Sequence, residues 1–342
     1  MKATLMERGR LWVEEVKDPE PGHGEVLVKT QACGICGSDL HAAQHTETFV
    51  QTSRATGGAF KLTTFDPVVL GHEFCAEIVD FGPGCEKTLN IGQLVCSIPV
   101  LLREDRNHLA VGYSEETPGG FAEYMRLSER MLLPVPDGTP SASAALTEPL
   151  AVGYHAVMKA KLQGGEAIVV LGCGPVGLAV ITALKSANAG PIIAADFSPG
   201  RRTFAARQGA DYVCDPAQED PFRAPDLKGR PLVVFECVGV PGVIDDIFAK
   251  VPNDTRIIVV GVCLQQDHIR PLVAINKELS MQFVLGYTPE EFRESLHAIA
   301  DGSFDVAGLV SHEIGLDEVA STFDELRNPE THAKVIVRPN GS

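Results

Sequence analysis

The stretch that decides the fold is Ala167-Ile168-Val169-Val170-Leu171-Gly172-Cys173-Gly174-Pro175-Val176-Gly177-Leu178-Ala179-Val180-Ile181. It predicts an apolar strand, a glycine-rich turn and an apolar helix, in the order that cradles a dinucleotide. Gly172 permits the tight turn, Gly174 lets the backbone approach a pyrophosphate, and Gly177 allows close packing of the helix on the strand. Pro175 and Val176 open the helix, whose first turn presents backbone N–H groups to the phosphates.

The alternation of strand and helix continues beyond this stretch. Further strand-like apolar runs lie at residues 191–195, 232–235 and 256–260, and helical patterns lie at residues 176–187 and 199–208. Such alternation predicts a doubly wound parallel sheet with helices on both faces.

The ends of these strands supply further candidates for the cofactor site. Asp196 ends the second strand, 19 residues after Gly177, where its carboxylate can accept hydrogen bonds from the adenosine ribose. The same carboxylate would repel a 2′-phosphate, so it favours NAD over NADP. Arg201 could hold that phosphate, lie along the adenine, or be solvated on the next helix. Gly261 and Val262 end the fifth strand, at the edge where the nicotinamide would lie.

The first half of the chain has a different sequence pattern. Up to about residue 150, short apolar stretches are separated by proline and glycine turns, which predicts an all-β region of short strands. The closing part predicts two helices and a strand, at residues 289–300, 316–326 and 333–338. We expect this part to complete the first domain, with domain limits of 1–150, 151–288 and 289–342.

Composition narrows the class of partner. The chain has 342 residues, 44% of them apolar, and a formal charge of −16. This length suits two domains, and the spread of acidic residues argues against a nucleic acid or an anionic membrane surface as partner. No stretch has the texture of a membrane span or a signal peptide, and the nine scattered cysteines do not suggest a disulfide framework. We therefore expect a cytoplasmic protein that acts on a small molecule.

The first half also offers the ligand atoms of a catalytic zinc. Cys36 supplies a thiolate, His72 an imidazole, and Glu73 or Glu148 a carboxylate. Taken singly, each has an ordinary structural explanation. Cys36 could be a packed thiol, His72 a core histidine at the start of a strand, and Glu148 a carboxylate at a helix N-terminus.

Four motifs in order carry a family resemblance: Cys36-Gly37-Ser38-Asp39-Leu40-His41, Gly71-His72-Glu73, Glu148-Pro149-Leu150 and the glycine turn at residues 172–177. The chain resembles the zinc-dependent medium-chain dehydrogenases over nearly its whole length, and among them the polyol branch of sorbitol and threonine dehydrogenases. The resemblance implies an α/β protein with a GroES-like β-rich catalytic domain and a Rossmann domain. It also implies hydride transfer between a secondary alcohol or polyol and NAD.

The resemblance further implies the zinc ligands. Cys36 and His72 would bind the metal, with Glu148 as the third ligand of the resting site. Glu73 would be its exchange partner, or a carboxylate that only tunes the metal.

The resemblance also implies a proton relay. Ser38 and His41 match the residues that carry the alcohol proton, by way of a cofactor ribose hydroxyl, to water. A second explanation is compatible with this one: Ser38 and Asp39 would cap a helix that begins at Leu40, with Asp39 orienting His72.

Two segments depart from the family pattern. The stretch from residue 96 to residue 112 contains one cysteine, where relatives with a structural zinc have four, so we expect no second zinc. Residues 42–66 look longer than usual and predict a loop, either at the rim of the cleft with Phe49, Phe60 and Phe65 as apolar lining or as a surface insertion. We expect a homo-oligomer, and the missing lobe leaves dimer and tetramer both open.

Two rival functions stay open at this point. One is a zinc-free reductase of the same fold that uses NADPH on enones or quinones. The other is a redox sensor that binds a dinucleotide without turning it over.

Overall fold

The computed structural model describes residues 1–57, 62–63, 65–104, 107–326 and 332–341. The chain folds into two compact units. The first contains the described residues of Met1–Glu148, Val310–Asn328 and Lys334–Ser342, and the second contains those of Pro149–Leu309 and Pro329–Ala333. Among the described residues, no helix has the length and apolarity needed to cross a membrane.

The first unit is built mainly from short strands, as the turn pattern predicts. In chain order its described elements are β1 (Lys2–Glu7), β2 (Arg10–Glu15), β3 (Glu25–Gly34), α1 (Gly37–Gln44), α2 (Thr46–Thr56), β4 (Val68–Val69), β5 (Glu73–Phe81), β6 (Leu94–Ser97), β7 (Val100–Leu101), β8 (Leu109–Ala110), β9 (Tyr124–Ser128), β10 (Leu132–Pro134) and α3 (Ser141–Ala144). Helix α4 (Thr147–Ala160) begins in this unit and continues into the second.

Strand β3 organises the largest sheet of this unit. The sheet has seven strands in the order β10-β6-β5-β3-β18-β17, with β9 also paired to β3, where β17 is Val310–Ile314 and β18 is Lys334–Val337. β3 and β5 are antiparallel, and their register sets Gly34 opposite Glu73. The last residue of β3 therefore lies beside the first residue of β5, which brings together two segments that carry metal-ligand candidates.

The segment predicted as a loop at residues 42–66 contains helix α2 and the end of α1, so the loop prediction was wrong. Phe49 on α2 is buried and stacks on Tyr113, with the ring centroids 5.8 Å apart. Phe65 is 72% exposed, and Phe60 lies outside the described residues. The polar composition misled the prediction because a helix that buries one narrow face needs few apolar residues.

The second unit has the predicted alternation of strands and helices. Its described elements after α4 are β11 (Ala167–Leu171), α5 (Pro175–Ser186), β12 (Ile192–Ala195), α6 (Pro199–Gln208), β13 (Tyr212–Cys214), β14 (Leu232–Glu236), α7 (Val243–Lys250), β15 (Arg256–Val259), α8 (Pro271–Asn276), β16 (Ser280–Phe283) and α9 (Pro289–Ala300). The six strands are parallel in the order β13-β12-β11-β14-β15-β16. The order reverses at β11, and in such sheets a ligand binds beyond the carboxyl end of the strands at this point.

Local sequence signals explain where the helices of the second unit begin. Proline occupies the first turn of α5, α6 and α9, where its missing N–H costs no hydrogen bond. Ser198 caps α6 by accepting a hydrogen bond from the Arg201 backbone N–H, and Thr288 with Glu291 forms a capping box at α9.

The chain returns to the first unit later than residue 289. Helix α9 belongs to the second unit, and the described residues from Val310 onward belong to the first. The described strands and α-helix of the return are β17, α10 (Val319–Glu325) and β18. The pattern of the sequence predicts the helix and the last strand, whereas β17 was missed because its Val-Ser-His-Glu-Ile sequence is mostly polar.

Candidate functional site

The first unit contains a cluster that could hold a metal ion. The ligand atoms of Cys36, His72 and Glu73 all lie within 4.8 Å of one another. Cys36 precedes helix α1 just after the end of β3, while His72 and Glu73 stand at the start of β5. The antiparallel register of β3 and β5 therefore assembles the cluster. A Cβ at Gly34 would come within 2.1 Å of Glu73 Oε2, so a larger residue at this position would displace the carboxylate.

Lys334 pairs with the carboxylate of this cluster. Its Nζ donates to both carboxylate oxygens of Glu73, at 2.7 and 2.6 Å, and to the backbone oxygen of Ile35 at 3.1 Å. Both side chains are buried, with exposures of 5% and 0%. Burial lowers the pKa of Lys334, but the Glu73 carboxylate outweighs it and leaves that pKa above its usual value. The lysine therefore stays charged and compensates the buried carboxylate.

Asp39 lies beside both Cys36 and the imidazole of His72. Its Oδ2 accepts the backbone N–H of Cys36 at 2.9 Å, and its Oδ1 lies 3.3 Å from Nδ1 of His72, without the alignment of a good hydrogen bond. Burial lowers the pKa of His72, but Asp39 and Cys36 raise it well above the usual value. Helix α1 begins at Gly37, three residues before the predicted start at Leu40.

The donor set fits a soft divalent cation. Burial raises the pKa of the Cys36 thiol, and the neighbouring Glu73 carboxylate raises it further. A thiol in such surroundings keeps its proton unless a cation replaces it, and zinc accepts thiolate, imidazole and carboxylate ligands together. The residues present therefore fit a zinc ion.

Glu148 lies in the first turn of α4, outside the three-residue cluster. Its charge contributes to the raised pKa of Lys334, after the larger effects of burial, which lowers that pKa, and of Glu73. Both candidate carboxylates therefore act on the same lysine. The structure brings Glu73, rather than Glu148, into the group with Cys36 and His72.

The predicted relay residues lie on helix α1. Ser38 is half-buried and hydrogen-bonds with Tyr113 at 2.7 Å. His41 is also half-buried, and burial together with His45 lowers its pKa. An imidazole with a lowered pKa is neutral near pH 7 and can accept a proton.

Sequence reasoning missed Tyr113 and Lys334. Tyr113 lies in an irregular segment, where no local pattern predicts burial. Lys334 did carry a signal, because it is a lone cation followed by the apolar Val335-Ile336-Val337 in a strand. A lysine in that context is a candidate for a buried ion pair.

In the second unit the glycine turn has the geometry that its sequence predicts. Gly172 has a φ of +87°, which a side chain would strain. A Cβ at Gly177 would come within 1.9 Å of the Gly172 backbone oxygen, so helix and strand approach closely there. A Cβ at Gly174 would approach nothing nearer than the Arg201 guanidinium at 3.8 Å, which leaves open space before the helix N-terminus. Pro175 and Val176 form the first turn of α5, and the turn fits a pyrophosphate.

Asp196 is held in place beside this turn. Its carboxylate accepts hydrogen bonds from the backbone N–H groups of Cys173 and Ser198, each at 2.8 Å. The Arg201 guanidinium lies 3.9 Å from the same carboxylate. A carboxylate held by two backbone N–H groups fits the predicted ribose acceptor, and the position of Arg201 beside it leaves the role of that cation open.

The ends of β14 and β15 meet through glycines. A Cβ at Gly261 would come within 2.4 Å of the Gly239 backbone nitrogen, and Val262 beside it is 51% exposed. The buried Glu236 carboxylate accepts backbone N–H groups from Val238 and Gly239, at 2.7 and 2.8 Å. These bonds fix the loop at the carboxyl edge of the sheet, where the nicotinamide is predicted to lie.

Two family models match the chain. The alcohol dehydrogenase GroES-like domain matches residues 22–137, and the zinc-binding dehydrogenase model matches residues 175–301. The (R,R)-butanediol dehydrogenase of Bacillus subtilis (strain 168) is 32% identical, with 96% of each chain covered. The chain belongs to the zinc-type medium-chain dehydrogenase/reductase family.

Other members of this family agree with the assignment. The L-threonine 3-dehydrogenase of Sinorhizobium medicae (strain WSM419) is 29% identical over 93% of the chain and 92% of the relative. The crystal structure of 2R,3R-butanediol dehydrogenase from Bacillus subtilis matches with a TM-score of 0.84 and 29% identity, covering 99% of both chains. The resemblance and the fold class predicted from the sequence are confirmed, and the chain is an oxidoreductase of the zinc-type alcohol dehydrogenase family. The activities named for these relatives support neither of the two rival functions, the zinc-free reductase and the sensor that does not turn over its dinucleotide.

Proposed function

We propose that the chain is a zinc- and NAD-dependent dehydrogenase that interconverts a secondary alcohol or polyol and its ketone. The observation that carries the proposal is the grouping of Cys36, His72 and Glu73 ligand atoms within 4.8 Å. A zinc-free reductase has no use for this donor set. As the sequence predicts, we propose that the protein is cytoplasmic.

The chemistry that zinc and NAD supply when bound is acidification of the substrate hydroxyl and acceptance of its hydride. The residues of the chain handle the proton. Ser38 takes the proton of the alcohol as it releases its own hydrogen, and His41 passes the released proton on to water. The lowered pKa of His41, which burial and His45 cause, keeps the imidazole ready to accept.

The third ligand is proposed to be Glu148 in the resting site, with Glu73 as its exchange partner. Support comes from Lys334, which occupies both carboxylate oxygens of Glu73. On this proposal, Glu148→Gln loses more zinc during dialysis than Glu73→Gln. Equal retention of zinc by Glu148→Gln and the wild type would assign the third position to Glu73.

NAD is the proposed cofactor because the Asp196 carboxylate is fixed by two backbone hydrogen bonds, each of 2.8 Å, where the ribose would lie. The substrate class follows the relatives, one of which acts by name on butanediol and another on threonine. Both substrates carry a hydroxyl beside a second polar group. We therefore expect a vicinal diol, a sugar alcohol or a β-hydroxy amino acid.

A substrate panel tests the reaction. Diols, sugar alcohols and β-hydroxy amino acids are offered with NAD and with NADP, and reduction of the cofactor is followed by absorbance. We expect turnover with NAD on at least one substrate, and its loss on treatment with a chelator. Tight NADH binding with no turnover on any substrate would instead support the sensor, and NADPH-dependent enone reduction would support the zinc-free reductase.

Metal analysis tests the zinc count. We expect about one zinc per chain after gentle purification, since the described residues contain one donor cluster and no structural zinc is predicted. Less than about one tenth of a zinc per chain would favour the zinc-free reductase. About two would show that a second site exists.

A homo-oligomer is proposed from the exposed edge of the second unit. Phe283 and Leu285, on and just after edge strand β16, are 66% and 87% exposed, and Leu272 and Ile275 on α8 are 65% and 67% exposed. Large exposed apolar side chains along an unpaired edge are typical of a subunit interface. Light scattering should give the molar mass of a dimer or a larger oligomer. The substitution Leu285→Asp should shift the measured mass toward that of the monomer. A monomeric wild type would contradict the proposal.

A further inference from the structure

Tyr113 links the candidate proton acceptor to the metal cluster. Its hydroxyl lies 2.7 Å from Ser38 Oγ and 3.1 Å from Asp39 Oδ1. Asp39 in turn contacts both metal-ligand candidates, through the backbone N–H of Cys36 at 2.9 Å and Nδ1 of His72 at 3.3 Å. One hydroxyl therefore lies between the Ser38 side chain and the carboxylate that contacts both Cys36 and His72.

Packing fixes where this hydroxyl can be. The Tyr113 ring is 2% exposed and stacks on Phe49 of α2, with centroids 5.8 Å apart. On another side it lies against the His72 ring, with centroids 5.2 Å apart. A ring held by two aromatic neighbours cannot swing away, so its oxygen is a fixed point beside Ser38.

The distances indicate the direction of the hydrogen bonds. The shorter of the two contacts of the Tyr113 hydroxyl is the bond that it donates to Ser38 Oγ, at 2.7 Å against 3.1 Å to Asp39 Oδ1. Ser38 accepts this bond with one lone pair of its oxygen. Its second lone pair is then available for the proton of an alcohol, and its own hydrogen is free to move on toward His41 as that proton arrives.

We propose that Tyr113 is a positioning residue that fixes the rotamer of Ser38, so that Ser38 Oγ receives the alcohol proton while the hydrogen of Ser38 moves on toward His41. The inference rests on the proposed function and deepens it. It adds no covalent step. Helix α2 has a part in this role, because it supplies the Phe49 ring against which Tyr113 is packed.

The test begins with Tyr113→Phe, which removes one oxygen and keeps the ring between Phe49 and His72. We expect kcat to fall about tenfold, part of the effect typical of general acid–base groups, with KM for the alcohol and for NAD within about twofold. The solvent deuterium isotope effect on kcat should rise, because proton transfer becomes more limiting. Zinc content and circular dichroism should match the wild type. The control is Tyr212→Phe, which removes a hydroxyl bonded to Glu219 at the amino end of β13 and should leave kcat unchanged.

A double-mutant cycle with Ser38→Ala shows whether Tyr113 acts through Ser38. In the Ser38→Ala background, Tyr113→Phe should cause no further loss of kcat. The proposal is overturned if the full loss recurs there, since Tyr113 would then act on Asp39 and His72, or if Tyr113→Phe alone leaves kcat and the isotope effect unmoved.

Failure of the proposed function has a different signature. The wild type would show no zinc-dependent turnover, or Ser38→Ala would be as active as the wild type. In that case both the relay and the role of Tyr113 are rejected. A wild type that is active, with an impaired Ser38→Ala and a fully active Tyr113→Phe, rejects the role of Tyr113 alone.

Discussion

The two candidate sites of this molecule are assembled in opposite ways. The dinucleotide turn of the second unit comes from one continuous stretch between Ala167 and Asp196. The metal cluster of the first unit combines strand ends with a lysine 261 residues away from the carboxylate it pairs with. In the turn, backbone groups and the absence of side chains form the site. In the cluster, side-chain charges held out of water form it.

This difference predicts which kind of substitution each site tolerates. A backbone site is sensitive to added volume and little affected by changes of charge on its surroundings. A buried charge site responds most to the loss of one partner, because the remaining charge is left without compensation. Substitutions in the two units should therefore fail for different physical reasons.

The largest effect is expected at Cys36. Cys36→Ala removes a proposed metal ligand, so activity should fall by about a thousandfold or more and zinc should be lost, while NADH binding stays nearly intact. Activity assays, metal analysis and fluorescence titration with NADH measure these outcomes. The matched control is Cys85→Ala, which should remain active. In the wild type the Cys85 thiol donates to the Glu25 backbone oxygen at 3.2 Å. Turnover that survives in Cys36→Ala would show that the zinc assignment is wrong.

The next effect concerns the buried ion pair. Lys334→Met leaves the Glu73 carboxylate, with 0% exposure, without its cation. Loss of one partner of such a pair typically costs about 3–5 kcal/mol of unfolding free energy. Urea denaturation of the zinc-free protein measures this cost without a contribution from the metal.

The double variant Lys334→Met/Glu73→Gln is the control for this experiment, because it also removes the stranded charge. It should recover much of the lost stability. If the single and the double variant are equally destabilised, packing of the lysine stem, and not charge compensation, is what Lys334 contributes.

Substitutions of two glycines in the turn, Gly174 and Gly177, should affect stability and NAD binding differently. Gly177→Ala should destabilise the protein by about 1–3 kcal/mol, since its Cβ would lie 1.9 Å from the Gly172 oxygen. Gly174→Ala should change stability by less than about 1 kcal/mol, because that position faces open space, yet it should weaken NAD binding. Thermal unfolding and NADH titration on both variants separate the two effects. Unchanged NAD affinity in Gly174→Ala would place the pyrophosphate elsewhere.

The smallest effect is expected at Asp196. Asp196→Ala should weaken NAD binding about tenfold and reduce the preference of the enzyme for NAD over NADP. The substitution removes both a hydrogen-bond acceptor for the ribose and a negative charge that repels the 2′-phosphate of NADP. The ratio of kcat/KM for the two cofactors measures the change. Asp246→Ala, an exposed partner of Lys250 on α7, should leave that ratio as it is. The same ratio in Asp196→Ala and the wild type would exclude Asp196 as the ribose acceptor.

The sequence by itself determined the dinucleotide-binding fold and the identity of the family. Strand, turn and helix of the βα unit are encoded by neighbouring residues, so hydrophobic period and glycine positions suffice to predict them. The ordered motifs around Cys36, His72 and Glu148, together with the glycine turn at residues 172–177, added the family, because four separated motifs rarely coincide. The helical character of residues 46–56 escaped prediction, since few apolar residues mark its buried face.

The tertiary structure alone decided which side chains meet at the metal cluster. Pairing of β3 with β5 brings Cys36 next to His72 and Glu73, and pairing of β18 with β3 brings in Lys334. The packing that sets the Tyr113 hydroxyl on Ser38 and Asp39 is likewise a product of the folded chain. The physical reason is that strand register and burial join residues that no local pattern connects, and Coulomb forces between them become strong only once water is excluded.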